Sequence, residues 1–205
     1  MTNRGGNGYI HVQDKGKTVM TRQLPSMERY RELLAKLDGH GERLLRRYGD
    51  RIVCGEGCAE CCTLSSVSGI EAYGILGYAR GLSKLREREA PRNREKNGHG
   101  GAGGAARRGP RPCPFLTEDR CIIYPARPVI CRTHGYPLLI EKKVDFCPKN
   151  FVSLDAIDSG FILDLERLNT LISSLNIMFL RETGDPFFRK ERVAMTELFE
   201  LAFAP

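Results

Sequence analysis

Residues 54–62 of the 205-residue chain read Cys54-Gly-Glu-Gly-Cys58-Ala-Glu-Cys61-Cys62, which places four cysteines within nine positions. If residues 58–62 are helical, the last three cysteines lie three and four positions apart, and their thiols converge on one side of the helix. The two glycines of the stretch allow the backbone to turn so that Cys54 joins them. The stretch therefore predicts a fold organised around a thiol-bound metal centre.

A second set of four cysteines follows downstream, at Cys113, Cys121, Cys131 and Cys147. Crowded thiolates repel one another unless a cation binds them, and metal coordination offsets the entropy of closing the long loop between the two sets. A single cysteine is typically a small buried apolar residue, and disulfides are the other competing interpretation. Two groups of four favour metal binding, so all eight cysteines are candidate ligands.

Composition and charge exclude several classes of protein. The chain is 41% hydrophobic and 28% charged, which is typical of a globular protein. Residues 1–20 lack the apolar core of a signal peptide, which predicts a cytoplasmic, reducing location rather than a disulfide scaffold. The most apolar run, residues 161–180, is interrupted by charged side chains, so we predict no membrane span.

The domain organisation follows from a sharp change in composition. We predict a flexible tail or weak hairpin over residues 1–24 and a single cysteine-cluster domain over residues 25–205. A disordered Gly/Arg-rich insertion at about 84–112 interrupts this domain. The insertion holds all but one unit of the net charge of +7. Because the basic charge lies in this insertion and the rest of the chain is nearly neutral, the charge does not indicate a nucleic-acid-binding fold.

Apolar periodicity predicts a mainly α, small helical domain. The predicted helices cover residues 25–48, as one kinked helix or two short ones, and residues 69–82, 161–183 and 186–202. Ser68-Gly69-Ile70-Glu71 matches a capping box at the start of the second of these. The Pro-rich segment 113–147, which carries the downstream cysteines, predicts loops and short strands.

Three further motifs accompany the CxxxCxxCC run: Cys113-Pro-Phe-Leu116, Cys121-Ile-Ile-Tyr124 and Arg127-Pro-x2-Cys131-Arg132. Together they resemble the YkgJ-type cysteine cluster family, whose CxxCxxCC domain is described as zinc- or iron-chelating. The chain departs from the family name in its first spacing, which is three residues rather than two. The resemblance implies a metal or iron–sulfur domain over roughly residues 54–147 and does not imply a particular reaction.

Sulfur ligands are compatible with zinc and with an iron–sulfur cluster, including a 4Fe–4S cluster. The Cys-Pro pairs at 113 and 147 favour iron–sulfur slightly, because Cys-Pro ends the cluster-binding run of bacterial ferredoxins. Candidate residues around the ligands are Arg127 and Arg132, which could offset thiolate charge, and His134. The competing interpretation is that such arginines bind backbone carbonyls.

No independent catalytic motif is present in the sequence, so the catalytic residues, and any enzymatic activity, remain unknown. The first hypothesis is a metal-chelating protein in which the metal is structural and, if it is iron–sulfur, also redox-active. One alternative is a protein lysine methyltransferase resembling the flagellin lysine methylases, which share the cysteine motif. The other is a zinc-dependent nucleic-acid-binding protein. The predicted partner is a metal ion or cluster, and the protein partner is unknown.

Overall fold

The computed structural model describes residues 9–14, 17–22, 24–55, 57–89 and 112–203. Within these ranges the domain is mainly helical, which confirms the predicted fold class. Its α-helices are α1 (Pro25–Tyr48), α2 (Gly69–Glu89), α3 (Val129–Thr133), α4 (Leu165–Glu182) and α5 (Met195–Phe203). Of the predicted insertion, residues 84–89 extend α2, and residues 90–111 lie outside the described ranges.

Short strands connect these helices. They are β1 (Tyr9–Asp14), β2 (Lys17–Arg22), β3 (Ser66–Val67), β4 (Leu116–Thr117), β5 (Arg120–Cys121), β6 (Leu138–Ile140), β7 (Lys143–Asp145), β8 (Leu163–Asp164) and β9 (Val193–Ala194). Antiparallel pairs join β1 to β2, β3 to β9, β4 to β5 and β6 to β7, while β8 pairs with β6 in parallel. No described sheet has more than three strands, so the sheets act as local ties between loops and helices.

Helix α1 continues through both of its glycines, so residues 25–48 form one helix and not two short ones. Tyr30, Leu37 and Leu44 recur at helical spacing and are buried. At Gly41 a Cβ atom would stand 2.5 Å from the hydroxyl of Tyr136. Glycine at this position therefore lets the loop that follows α3 approach the helix backbone closely.

The start of α2 carries the predicted capping interaction. The Ser68 hydroxyl and backbone N–H both donate to the Glu71 carboxylate, at 2.8 and 3.1 Å. The other carboxylate oxygen of Glu71 accepts from the backbone N–H of Val129, at 3.2 Å. One buried side chain therefore caps α2 and fixes the start of α3, which places the loop that carries Cys131.

The last two predicted helices are too long at their N-terminal ends. Helix α4 begins at Leu165, because the Asp164 side chain accepts from Arg167 N–H at 2.9 Å and caps it there. Residues 186–189 form a separate 3-10 turn, and Val193 enters a strand opposite Val67 before α5 begins. Apolar periodicity runs through these breaks because the residues before each helix are buried in other contacts.

Two apolar clusters flank the cysteine segments. The main core is built by α1, α2, α4 and α5, with Phe115 and Ile123 entering it from the downstream loop. The second cluster joins Leu44 and Tyr48, near the end of α1, to Phe151. Among the described residues, no helix has the length and apolar character needed to cross a membrane.

Candidate metal centre

A cavity of about 400 Å³ lies where the loop after α1 meets the loop after α2. Seven cysteines line it, namely Cys54, Cys58, Cys61, Cys62, Cys113, Cys121 and Cys131. The eighth, Cys147, shares a side-chain hydrogen bond with Cys54. None of the eight forms a disulfide. The fold therefore gathers both predicted sets at one place, although they are separated by more than fifty residues of sequence.

The upstream cysteines are presented by turns rather than by a helix. Cys58 N–H donates to the carbonyl of Gly55 at 3.2 Å, and Cys62 N–H donates to that of Ala59 at 3.0 Å. The expectation that residues 58–62 are helical is therefore wrong. Small residues in this segment have few side-chain atoms to bury, so the chain follows local turns instead of a packed helix.

The buried amide of Asn150 fixes the start of this segment. Its Oδ1 atom accepts from the N–H groups of Val53 and Cys54, at 2.9 and 3.1 Å. Its Nδ2 atom donates to the carbonyl of Gly135 at 2.7 Å, and its own N–H donates to the carbonyl of Cys147 at 2.8 Å. One residue therefore connects three segments that carry or adjoin cysteines.

The downstream loop is joined to the upstream one through the backbone. Cys113 N–H donates to the carbonyl of Cys62 at 2.8 Å. Strands β4 and β5 then place Cys121 opposite Leu116, whose N–H donates to the carbonyl of Cys113 at 3.0 Å. These bonds bring Cys62, Cys113 and Cys121 into one neighbourhood before any metal is considered.

Burial raises the pKa of several of these thiols. The pKa of Cys54 and of Cys131 is raised to about 12, and that of Cys113 to about 11, with burial as the largest cause in each. Burial and neighbouring cysteines also raise the pKa of Cys61 and Cys62. These thiols are therefore protonated at neutral pH in the metal-free protein, and a bound metal must displace their protons.

The two predicted arginines line the cavity, and both guanidinium groups are engaged in loop contacts. Arg127 lies over the ring of Tyr124, 3.8 Å from its centroid, and donates to that residue's carbonyl at 3.0 Å. Arg132 is buried, donates to the carbonyls of Arg127 and Pro125, and pairs with Asp38 at 2.5 Å. Offsetting of thiolate charge by either arginine stays a prediction. His134 also lines the cavity and is exposed.

The donor set fits a soft or borderline metal. Sulfur predominates among the potential ligands on the cavity wall, which otherwise include the carboxylate of Asp119 and the imidazole of His134. Thiolates favour zinc and iron–sulfur clusters, whereas magnesium and calcium need oxygen ligands. Within the described ranges, no three His, Cys, Asp or Glu side chains are already arranged to hold one metal ion.

Asn150, Asp38 and Glu71 position the cysteine-bearing loops, and sequence reasoning did not predict this role for any of them. Asp38 and Glu71 lie on helices that carry no cysteine. Asn150 follows Cys147 by three residues but belongs to no recognisable motif. Only the capping box at Ser68 pointed to one of them, and it indicated a helix start rather than a contact with α3.

One of the comparisons with known proteins gives a match over the cysteine-bearing segments. Residues 53–148 match the family model CxxCxxCC, described as "Putative zinc- or iron-chelating domain". This match covers the segment that carries the cysteine motifs and confirms the family resemblance that they indicate. Neither the search of curated proteins nor the search of solved structures found a match.

Proposed function

We propose that this protein holds an iron–sulfur cluster, most simply of the 4Fe–4S type, through cysteines of the cavity. The observation that carries the proposal is the presence of seven cysteines, none of them in a disulfide, on the wall of one cavity. Four thiolates satisfy either a 4Fe–4S cluster or a zinc ion, so zinc is the alternative occupant. Eight cysteines outside disulfides also fit the reducing, cytoplasmic location predicted from the sequence.

The first role of the centre is structural. The segment 112–150 forms short strands, turns and the five-residue helix α3, and it contributes few side chains to the main core. A metal bound between this segment and residues 54–62 cross-links two loops across the insertion and stabilises the folded state by its binding free energy. With iron–sulfur, the same centre adds a capacity for one-electron transfer.

Anaerobic purification with iron, sulfide and zinc analysis tests the proposal. An iron–sulfur protein shows absorbance at about 400 nm together with matching iron and sulfide contents. The control is Ser65→Ala, which alters the cavity wall without removing a thiol. Stoichiometric zinc without iron would show that the site holds zinc and not a cluster. The absence of both metals from freshly purified and reconstituted protein would refute metal binding.

Protein lysine methylation and nucleic-acid binding stay predictions without a supporting contact among the described residues. Methyl transfer from S-adenosylmethionine to a protein lysine would support the first. Salt-dependent DNA binding by zinc-loaded protein would support the second.

A further inference from the structure

The eight cysteines divide into two neighbourhoods that differ from their grouping along the sequence. The first is held by the backbone bond between Cys113 and Cys62 and by the pairing that places Cys121 beside them. Cys131 interacts electrostatically with Cys113, Cys121 and Cys62, in that order, and least with Cys61. We name this neighbourhood the main-core set; it consists of Cys62, Cys113, Cys121 and Cys131.

The second neighbourhood is held by Asn150. This residue accepts from Cys54 N–H through its side chain and donates to the carbonyl of Cys147 through its backbone, and the side chains of these two cysteines are hydrogen-bonded. Cys58 interacts electrostatically with Cys54, and Cys61 interacts with Cys58 and Cys147 besides its chain neighbour Cys62. Cys62 itself interacts first with Cys121 and then with Cys58. We name this neighbourhood the small-core set; it consists of Cys54, Cys58, Cys61 and Cys147.

The apolar clusters support the same division. Cys113 and Cys121 pack against the main core. Ile52, two residues before Cys54, and Phe146, directly before Cys147, pack in the second cluster around Tyr48 and Phe151. Two cysteines of the first set and the neighbours of two cysteines of the second therefore pack in different parts of the hydrophobic interior.

The adjacent cysteines 61 and 62 mark the point at which the chain passes from one set to the other. Thr63 N–H donates to the carbonyl of Cys61 at 2.8 Å, so the chain turns tightly across this pair. The carbonyl of Cys62 accepts a hydrogen bond from Cys113 N–H, which joins Cys62 to the downstream loop. In two-cluster ferredoxins, the last cysteine of a closely spaced run likewise ligates the other cluster.

We infer that the protein has two four-cysteine metal centres, one formed by the main-core set and the other by the small-core set. In this assignment, Cys62 belongs to the centre formed with downstream cysteines, and Cys147 belongs to the centre formed with upstream ones. The inference rests on the proposed function, since it requires the thiols to bind metal. It goes beyond that function by assigning each cysteine and by setting the stoichiometry at two centres per chain.

Two double variants of the full chain distinguish this assignment from grouping by sequence. Cys62→Ser/Cys113→Ser damages only the main-core set, so the reconstituted variant retains half of the wild-type metal content. Cys54→Ser/Cys62→Ser damages both sets and loses nearly all of it. If the centres were instead formed by residues 54–62 and by residues 113–147, the first variant would lose nearly all of its metal and the second would retain half. Metal per chain is measured by mass spectrometry after anaerobic reconstitution, separately with zinc and with iron and sulfide, and circular dichroism monitors folding.

A measurement on the wild-type protein covers the case in which a variant fails to fold. Zinc-loaded protein is treated with increasing chelator, and the released thiols are alkylated and mapped by peptide mass spectrometry. We expect the cysteines to become reactive in two groups of four that correspond to the main-core and small-core sets. Release as residues 54–62 followed by residues 113–147, or of only four cysteines in total, would overturn the assignment while leaving metal binding intact. Wild-type protein that binds no metal would overturn the proposed function as well.

Discussion

Replacing Asn150 with alanine tests whether a single buried amide holds the cysteine-bearing loops together. The side chain is 1% exposed and makes three hydrogen bonds, two from the N–H groups of Val53 and Cys54 and one to the carbonyl of Gly135. Alanine removes all three and leaves the three backbone groups without that partner. The substitution alters no cysteine, so its effect on stability is independent of lost metal ligands.

The expected loss follows from these contacts. A neutral hydrogen bond contributes about 1 kcal/mol net, so three contribute about 3 kcal/mol to the free energy of unfolding. This corresponds to a decrease of roughly 100-fold or more in the folding equilibrium constant, because each 1.4 kcal/mol is a factor of ten. With a urea m-value of about 2 kcal/mol/M, the unfolding midpoint falls by about 1.5 M.

The assay is urea unfolding followed by circular dichroism, with reductant and chelator present so that only the metal-free protein is measured. Asn169→Ala is the matched control, because that residue is exposed on α4 and the substitution should change stability by less than about 0.5 kcal/mol. A loss below about 1 kcal/mol at Asn150 would show that the loops are held by other contacts.

Three further substitutions test the same structure by urea unfolding. Gly135 and Gly57 both have positive φ, but only at Gly135 would a Cβ atom meet a cysteine sulfur, at 2.9 Å, so Gly135→Ala should cost at least about 1 kcal/mol more than Gly57→Ala. Equal costs would contradict the close approach. Burial lowers the pKa of His40 below 6.5 in the native state. Below that pH the imidazole is therefore protonated more readily in the unfolded chain than in the native state. Stability therefore falls as pH drops through 6.5, by up to about 1.4 kcal/mol per unit, and His40→Gln should flatten this slope. Asp38→Asn leaves the buried Arg132 without its carboxylate and should cost about 2 kcal/mol, whereas no loss would mean that the backbone carbonyls suffice.

Local sequence patterns predict the helical class of this fold because helix formation depends on contacts within a few residues. The α1 periodicity and the capping box at Ser68 are of this kind. The pairing of Val67 with Val193 joins segments far apart in sequence, and no local pattern encodes it. Phe161 and Leu163 have helical spacing relative to α4, yet one enters the second cluster and the other pairs with Leu138.

The cysteine spacing predicts that a thiol site exists but leaves its internal grouping open. Four cysteines within nine residues suggest a single upstream set. The structure ties Cys62 to Cys113 and Cys54 to Cys147, because the bonds that position them come from a backbone carbonyl and from Asn150. Neither kind of contact has a sequence signature, since any residue supplies a carbonyl and an isolated asparagine has many roles.

The chain separates the residues that build its core from those that carry its chemistry. Helices α1, α2, α4 and α5 contain no cysteine and form the main core, whereas every cysteine lies in a loop, a two-residue strand or the short helix α3. Loops positioned by a rigid helical scaffold are typical places for binding residues. The hydrogen bonds of Asn150 and the Arg132–Asp38 pair hold these loops in place. The proposed metal centre would join these loops to one another, so a structural role and a redox role would use the same thiols.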